Sequence, residues 1–331
     1  MNYRTLGMTG LRVSAVGLGC MGMSHAYGAP ADRRQMIELL AMAVDMGYTL
    51  FDTAEAYGTP LSPGDNELLL GQALKPYRDS VVLATKFGVG FALDASVAPY
   101  PIVLDSSPGR IRAAVEGSLR RLCTDRIDLY YQHRIDPNVE PEVVAGTVAD
   151  LIREGKVLHW GISEATEEYL RRAHAVCPVT AVQNRYSMLA RWHEALFPTL
   201  EELGVGLVAF SPLANGVLSG CYTAGEKFDA ATDYRAAMPQ YTAEGFEKNR
   251  RLLALVEDLA ESKHATCSQV SLAWMMCKKP WIVPIPGTRR LSRLKENIGA
   301  ADVALTAGEV AAIDQALAAL PAGAVFGQPV S

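Results

Sequence analysis

Short apolar, β-branched runs return at intervals along the chain, with amphipathic stretches between them. The runs are residues 13–19, 48–52, 81–86, 127–132, 157–162, 180–184, 206–210 and 281–285. A strand covered on both faces needs no polar alternation, so near-continuous apolar runs of this length predict eight buried strands. The stretches between them carry helix punctuation. Asp32 opens one that ends at Gly47, Ser107-Pro108 opens one running to Leu122, Pro141 opens one closed by Gly155, and Gly204 closes the one following Trp192. Asp and Ser accept hydrogen bonds from the free N–H groups of a first turn, Pro presets its φ, and Gly tolerates the left-handed conformation past a last turn. Thr306 and Glu309 make the Thr-x-x-Glu box that starts one further helix.

Strands alternating with helices build a parallel sheet, and eight such units in 331 residues fit a closed barrel. The fold expected is α/β, a (β/α)8 TIM barrel. Residues 1–331 are read as a single domain, because no Pro/Gly/Ser-rich linker or shift in composition divides them. Two stretches break the spacing: 88–106 and 213–242 are long, apolar-aromatic and rich in turn residues, and each follows a strand. In a barrel such loops sit over the C-terminal face, where enzymes of this architecture keep their sites. They hold Phe91, Tyr100, Leu213, Tyr222, Phe228, Tyr234 and Tyr241, which suit an apolar or aromatic substrate.

A net charge of −5 and a pI near 5.7 provide no basic field for a phosphate backbone, which argues against nucleic acid as a partner. The first residues lack the charged and apolar regions of a signal peptide, and no run reaches the roughly 18 apolar residues of a membrane span. A cytoplasmic location is expected. The six cysteines are scattered without a C-x-x-C pair, as reduced thiols would be. His193-Glu194 begins like H-E-x-x-H, but Phe197 stands where the second histidine is needed, so no metal site is expected.

Gly17-Leu18-Gly19-Cys20-Met21-Gly22 spells G-x-G-x-x-G directly after a strand, with Asp52 ending the next strand. A dinucleotide fingerprint needs a helix N-terminus immediately behind the glycines to hold the pyrophosphate. Here the motif runs into a stretch ending Gly28-Ala29-Pro30, which reads as a loop, so a Rossmann fold is not expected.

Asp52, Tyr57, Lys86 and His133 all fall at or just beyond the ends of successive candidate strands, on one face of the expected barrel. Each alone has a bland reading as a cap, a surface aromatic, a solvated strand end or a core histidine; four complementary groups in strand order do not. Reduction of a carbonyl needs a proton for the forming alkoxide, and a free phenol with a pKa of about 10 is a poor donor at neutral pH. A lysine ammonium beside it favours the phenolate, an aspartate holds that lysine charged, and an imidazole can hold the substrate oxygen close.

At this point a resemblance becomes visible. Phe51-Asp52-Thr53-Ala54-Glu55-Ala56-Tyr57-Gly58, Asn66-Glu67-Leu68-Leu69-Leu70-Gly71, Thr85-Lys86-Phe87-Gly88 and Asp128-Leu129-Tyr130-Tyr131-Gln132-His133 are similar to the successive signatures of the aldo-keto reductase family, across nearly the whole chain. The resemblance implies an NADPH-dependent reductase of aldehydes and ketones on a barrel with an N-terminal β-hairpin. It also implies a catalytic tetrad of Asp52, Tyr57, Lys86 and His133, with Tyr57 as proton donor. A small-molecule carbonyl is the partner implied. Ser163 and Gln183 match contacts to the nicotinamide carboxamide, although Glu164 stands where family members usually carry asparagine. Phe210 matches the ring that stacks on the nicotinamide, and Ser211, Pro212, Leu213, Asn215 and Gly216 the loop that crosses the pyrophosphate. Gly287, Thr288, Arg289 and Arg293 match the 2′-phosphate site, and Glu296 and Asn297 the adenine contacts. Guanidinium groups suit a phosphate dianion, which favours NADPH/NADP+ over NADH. The same barrel can also serve as a cofactor-binding sensor or regulatory subunit, as potassium-channel β subunits do; an intact tetrad argues against that reading here.

Overall fold

The computed structural model describes residues 2–59, 61–92, 101–319 and 325–326. It opens with an antiparallel hairpin, β1 (Tyr3–Leu6) against β2 (Leu11–Ser14). There follow β3 (Leu18–Gly19), α1 (Arg33–Asp45), β4 (Leu50–Asp52), α2 (Asp65–Leu74), β5 (Val82–Phe87), then a second hairpin of β6 (Val89–Phe91) and β7 (Ile102–Leu104). Next come α3 (Pro108–Arg121), β8 (Ile127–Gln132), α4 (Pro141–Arg153), β9 (Val157–Ser163), α5 (Glu167–Val176), β10 (Ala181–Arg185), α6 (Phe197–Leu203) and β11 (Gly206–Phe210). The remainder is α7 (Ala243–Ser262), α8 (Cys267–Lys278), β12 (Ile282–Pro284), α9 (Leu291–Gly299) and α10 (Ala307–Ala319).

Eight strands pair in parallel in the order β3-β4-β5-β8-β9-β10-β11-β12. Gly19 bridges Gly287 in parallel register, and the Gly17 N–H donates to the Pro284 carbonyl at 2.9 Å, so the first and last strands meet and the sheet closes into the (β/α)8 barrel expected. The glycines on the β3 side of the seam, Gly17 and Gly19, are there for close approach. A β-carbon on Gly17 would stand 2.9 Å from the Ile285 side chain, and one on Gly19 2.8 Å from the Ile285 carbonyl. Behind them comes a single 3₁₀ turn, Met21–Met23, and no helix that could receive a pyrophosphate.

Each of the eight apolar runs contributes a barrel strand, but the first divides. Residues 13 and 14 belong to the hairpin, and the barrel keeps only Leu18–Gly19. The physical reason is the open floor of the barrel. Leu6, Leu11 and Val13 are buried with Leu50, Leu129, Ala181, Val208 and Val283 inside it. Burying each such side chain is worth about 1.5–3 kcal/mol. The hairpin lies across the N-terminal strand ends, where the Ser14 N–H donates to Thr49 Oγ1 at 2.7 Å and Thr9 meets Thr180 at 3.2 Å. The stretch 88–106, expected as a loop, contains the β6/β7 hairpin; Tyr100 lies outside the described residues.

Outside the sheet, apolar helix faces pack against the strands. Ile111 and Val115 of α3, Val144 and Val148 of α4 and Trp274 of α8 belong to one cluster, and Leu39 and Leu40 of α1 with Leu70 and Leu74 of α2 to another. The helix signals act as expected in most places. Asp32 Oδ1 accepts from the Gln35 N–H at 2.8 Å, Gly204 closes α6 at φ +63°, and Thr306 and Glu309 exchange bonds at the start of α10. Ser107 makes no side-chain cap on α3, which starts on Pro108 instead.

Candidate active site

The C-terminal ends of neighbouring strands bring Asp52 (β4), Lys86 (β5) and His133 (just past β8) to one place, and the turn after β4 delivers Tyr57. Lys86 Nζ donates to Asp52 Oδ1 at 2.6 Å, to the Thr53 carbonyl at 2.8 Å and to Tyr57 Oη at 3.2 Å. Lys86 and Asp52 are only 1% and 5% exposed, so this ammonium is charged inside the protein and needs all three acceptors. The other Asp52 oxygen accepts from Gln183 Nε2 at 2.8 Å. His133 meets the Tyr57 ring edge-on, with centroids 5.6 Å apart, and its buried Nδ1 has no partner among the described residues.

Burial is the largest influence on all three titrating groups here. Burial opposes the charge on Lys86, but Asp52 and Tyr57 outweigh it and leave the pKa above that of an ordinary lysine. Burial raises the Tyr57 pKa, and the Lys86 cation works against that rise without cancelling it. The phenol therefore holds its proton, with the cation that stabilises its conjugate base in contact. Burial, then Lys86 and Arg134, push the His133 pKa well below that of free histidine, so the imidazole is neutral.

Two residues quoted only as part of a sequence signature support this floor. Asn66 accepts from Thr53 Oγ1 at 2.7 Å and donates to the Cys20 carbonyl and to Ser24 Oγ, fastening the end of β4 to the loop after β3. Glu67 accepts from Thr85 Oγ1 at 2.5 Å and from Arg121 Nε at 2.6 Å, which fixes β5 one residue before Lys86.

Around the mouth, Ser163 is buried and accepts from Arg134 Nη1 at 3.1 Å. Glu164 follows it at φ +56°, with its carboxylate on the Arg185 N–H at 2.9 Å and 3.6 Å from His193 Nε2. Burial opposes its ionisation, yet His193 and the Arg185 N–H keep its pKa below the usual glutamate value. Phe210 is half-buried, with the Arg185 guanidinium 5.0 Å from its ring centroid. Within the loop that follows, Ser211, Ala214, Asn215 and Gly216 all have positive φ, a concentration of strain typical of functional loops. Pro212 is buried, and Leu213 packs beside the α1/α2 cluster.

Asn215 does not face outward as a free ligand. Its amide nitrogen lies 2.9 Å from Tyr27 Oη and 2.8 Å from Tyr234 Oη, and its oxygen accepts from Arg185 and Gln240, each at 3.2 Å. The two tyrosine hydroxyls are themselves 2.6 Å apart. With the backbone bonds Gly28 N–H to Thr232 O and Tyr234 N–H to Ala26 O, this network straps the loop after β3 to the loop after β11. Arg289 binds the same strap through the carbonyls of Gly22 and Ala29. Tyr241 packs edge to face on Tyr222 and on Phe228, and these loop aromatics join the larger of the two clusters outside the sheet. Gly287 lies at the seam, Thr288 Oγ1 accepts from the Arg290 N–H, Arg293 pairs with Glu296, and Asn297 is buried.

Residues 15–318 match the model of the Aldo/keto reductase family. The chain belongs to that family. Among solved structures it is similar to the glycerol dehydrogenase AKR11B4 from Gluconobacter oxydans, with 25% identity, a TM-score of 0.86 and 99% of each chain covered. It is likewise similar to the aldo-keto reductase AKR11C1 from Bacillus halodurans in its holo form, with 26% identity, a TM-score of 0.77 and 99% of each chain covered. A third is the thermostable aldo-keto reductase Tm1743 in complex with epalrestat, with 28% identity, a TM-score of 0.74, and 96% of this chain and 100% of that one covered. The chain is thus an oxidoreductase of a family that uses nicotinamide cofactors and small-molecule carbonyl substrates. Among the described residues of this aldo-keto reductase, no helix is long and apolar enough to cross a membrane.

Sequence reasoning passed over Arg134, Arg185, Tyr27, Gln240 and the supporting roles of Asn66 and Glu67. Arg134 had one available signal, its place directly after His133. The strap had none, because Tyr27 and Tyr234 are far apart in the chain and share no motif.

Proposed function

We propose that this aldo-keto reductase reduces aldehydes or ketones to alcohols with NADPH, and that Tyr57 donates the proton. The observation that carries the reading is a single buried ammonium, Lys86 Nζ, bonded at once to Asp52 and to Tyr57 Oη. The nicotinamide, when bound, supplies the hydride. The protein's share is to orient the carbonyl and move one proton. Neutral His133 acts as a hydrogen-bond donor to the substrate oxygen beside the phenol, and its unpartnered Nδ1 fits an imidazole built for a ligand. Tyr57 passes its proton to that oxygen while Lys86, fixed by Asp52, stabilises the phenolate left behind.

The residues present suit the cofactor. Ser163 and Gln183 flank the tetrad as carboxamide contacts, with Gln183 also holding Asp52. Phe210 offers the stacking ring, and the left-handed backbone at Ser211, Ala214, Asn215 and Gly216 coils the loop that would cross the diphosphate, with the Ala214 and Gly216 N–H groups bonded to the Ser211 and Leu213 carbonyls. For the 2′-phosphate the candidates are Arg293, paired with Glu296 and with Nη2 2.7 Å from Cys221 Sγ, and Arg289, whose Nε and Nη1 hold the strap while Nη2 has no partner among the described residues; we take Arg293, a guanidinium 34% exposed, as the first to test. We further take residues 1–331 as one barrel domain in the cytoplasm.

The test is a panel of aldehydes and ketones followed by NADPH absorbance, with Tyr57→Phe as the decisive variant. Turnover should fall by about 10² or more while NADPH binding is retained. Undiminished turnover assigns the proton to another group, and a parent that binds NADPH yet reduces nothing is a sensor.

A further inference from the structure

Arg134 and Arg185 stand at the mouth as cations without a carboxylate partner among the described residues. Arg134, half-buried in the loop after β8, uses one nitrogen, Nη1, on the His133 carbonyl at 2.6 Å and on Ser163 Oγ at 3.1 Å. The rest of its guanidinium is uncommitted among the described residues, and its charge is felt by Tyr57 and by His133. Arg185, buried at the end of β10, gives Nη1 to the neutral Asn215 amide and lies 5.0 Å from the ring centroid of Phe210 and 5.5 Å from that of Phe326. Glu164 stands at the end of the strand between them, but its carboxylate is turned to the Arg185 N–H and to His193. With Lys86 and Asp52 cancelling, the rim beside the proton donor carries an excess of positive charge.

A half-buried guanidinium with a free edge binds carboxylates in paired, charge-assisted bonds. We propose that Arg134, with Arg185 behind it, forms an anion subsite, and that the substrate is a carbonyl compound carrying a carboxylate. This rests on the reductase reading above and names the substrate class for that same site. Arg134 is on this view a specificity-determining residue, acting on the substrate's charged end while Tyr57 and His133 hold its carbonyl.

The experiment compares acids with their own methyl esters: 4-carboxybenzaldehyde and succinic semialdehyde, a rigid and a flexible spacing, each against its ester, by NADPH absorbance. The acid of at least one pair should be preferred about tenfold or more in kcat/KM, with the difference in KM. In Arg134→Met that acid/ester ratio should collapse toward one, and Arg134→Lys, which keeps the charge without the planar fork, should retain part of it. Equal use of acid and ester by the parent in both pairs overturns the subsite and leaves the reductase reading standing. A Met variant that loses acid and ester by the same factor also overturns it, because Arg134 would then act only through His133 and Ser163. No turnover of any carbonyl, in these pairs or a broad panel, brings down the reductase reading itself.

Discussion

The floor of the site and the strap above it are built by opposite means. The floor rests on barrel strands: Asp52 and Lys86 are strand residues, His133 follows one, and the ion pair among them is almost wholly buried. The strap is two loops joined by tyrosine hydroxyls, one asparagine and a few backbone bonds, with left-handed φ at Ala26, Ser211, Ala214 and Asn215. Groups that must be held to fractions of an ångström are carried by the sheet; groups that must let a ligand pass are carried by bonds worth about 1 kcal/mol each. Rigidity and access are thus assigned to different parts of the chain, and they can be broken separately.

The largest effect is expected in the floor. Lys86→Met leaves Asp52 buried with Gln183 as its side-chain partner, and removing one member of a buried pair costs about 3–5 kcal/mol. Chemical denaturation should show that loss together with lost turnover, and combining Lys86→Met with Asp52→Asn should restore much of the stability. A Met variant as stable as the parent would mean that the charges do not organise the floor.

Acid should weaken both regions through their histidines. In the strap, His25 is lowered to about 4, first by burial and then by Arg289; in the floor, burial and the Lys86 and Arg134 cations hold His133 well below the ordinary histidine value. A histidine whose folded pKa is depressed binds fewer protons than the unfolded chain below about pH 6.5, so stability falls as pH drops through that value. For His25 the loss at pH 5 is about 2 kcal/mol, and His25→Gln should lose correspondingly less between pH 7 and pH 5 than the parent. Equal losses would show that His25 titrates normally.

A smaller effect is expected at the cofactor's far end. Arg293→Ala should weaken NADPH about tenfold, or about 1.4 kcal/mol, and leave NADH affinity unchanged, as read by fluorescence titration. A parallel loss for both cofactors would assign Arg293 to the adenine side. The smallest belongs to the strap. Tyr234→Phe removes a hydroxyl from Tyr27 and Asn215, and NADPH release in stopped flow should quicken about fivefold, the equivalent of about 1 kcal/mol, with little change in melting. A lower melting point with unchanged release would make the strap part of the core.

This division also explains what was legible in the sequence. Strand runs, the Asp32 cap, the Gly204 stop and the strand-end positions of Asp52, Lys86 and His133 are local signals, and local signals survive without coordinates. The break within 13–19 was hidden because hairpin arm and barrel strand are both buried, so Val13 and Leu18 read alike. The β6/β7 hairpin was hidden by its turn-rich composition. Asn215 was legible as a loop residue but not as the hub of the strap, since its partners Tyr27, Arg185, Tyr234 and Gln240 come from three separate segments. Arg289 read as a phosphate ligand from its place after Gly287-Thr288, and its bonds to Gly22 and Ala29 depend on where a distant loop lies.

The seam at Gly17 and Gly19 has a consequence for the order of assembly. Neighbouring barrel strands elsewhere are joined by one crossover, whereas β3 and β12 are brought together only across nearly the whole polypeptide, and β3 offers two residues to the junction. Loop-closure entropy rises with the length enclosed, and contacts of such long separation form late. Closure of the ring therefore waits on the far end of the chain, and a side chain at either glycine acts on that last zipping event as much as on the finished barrel.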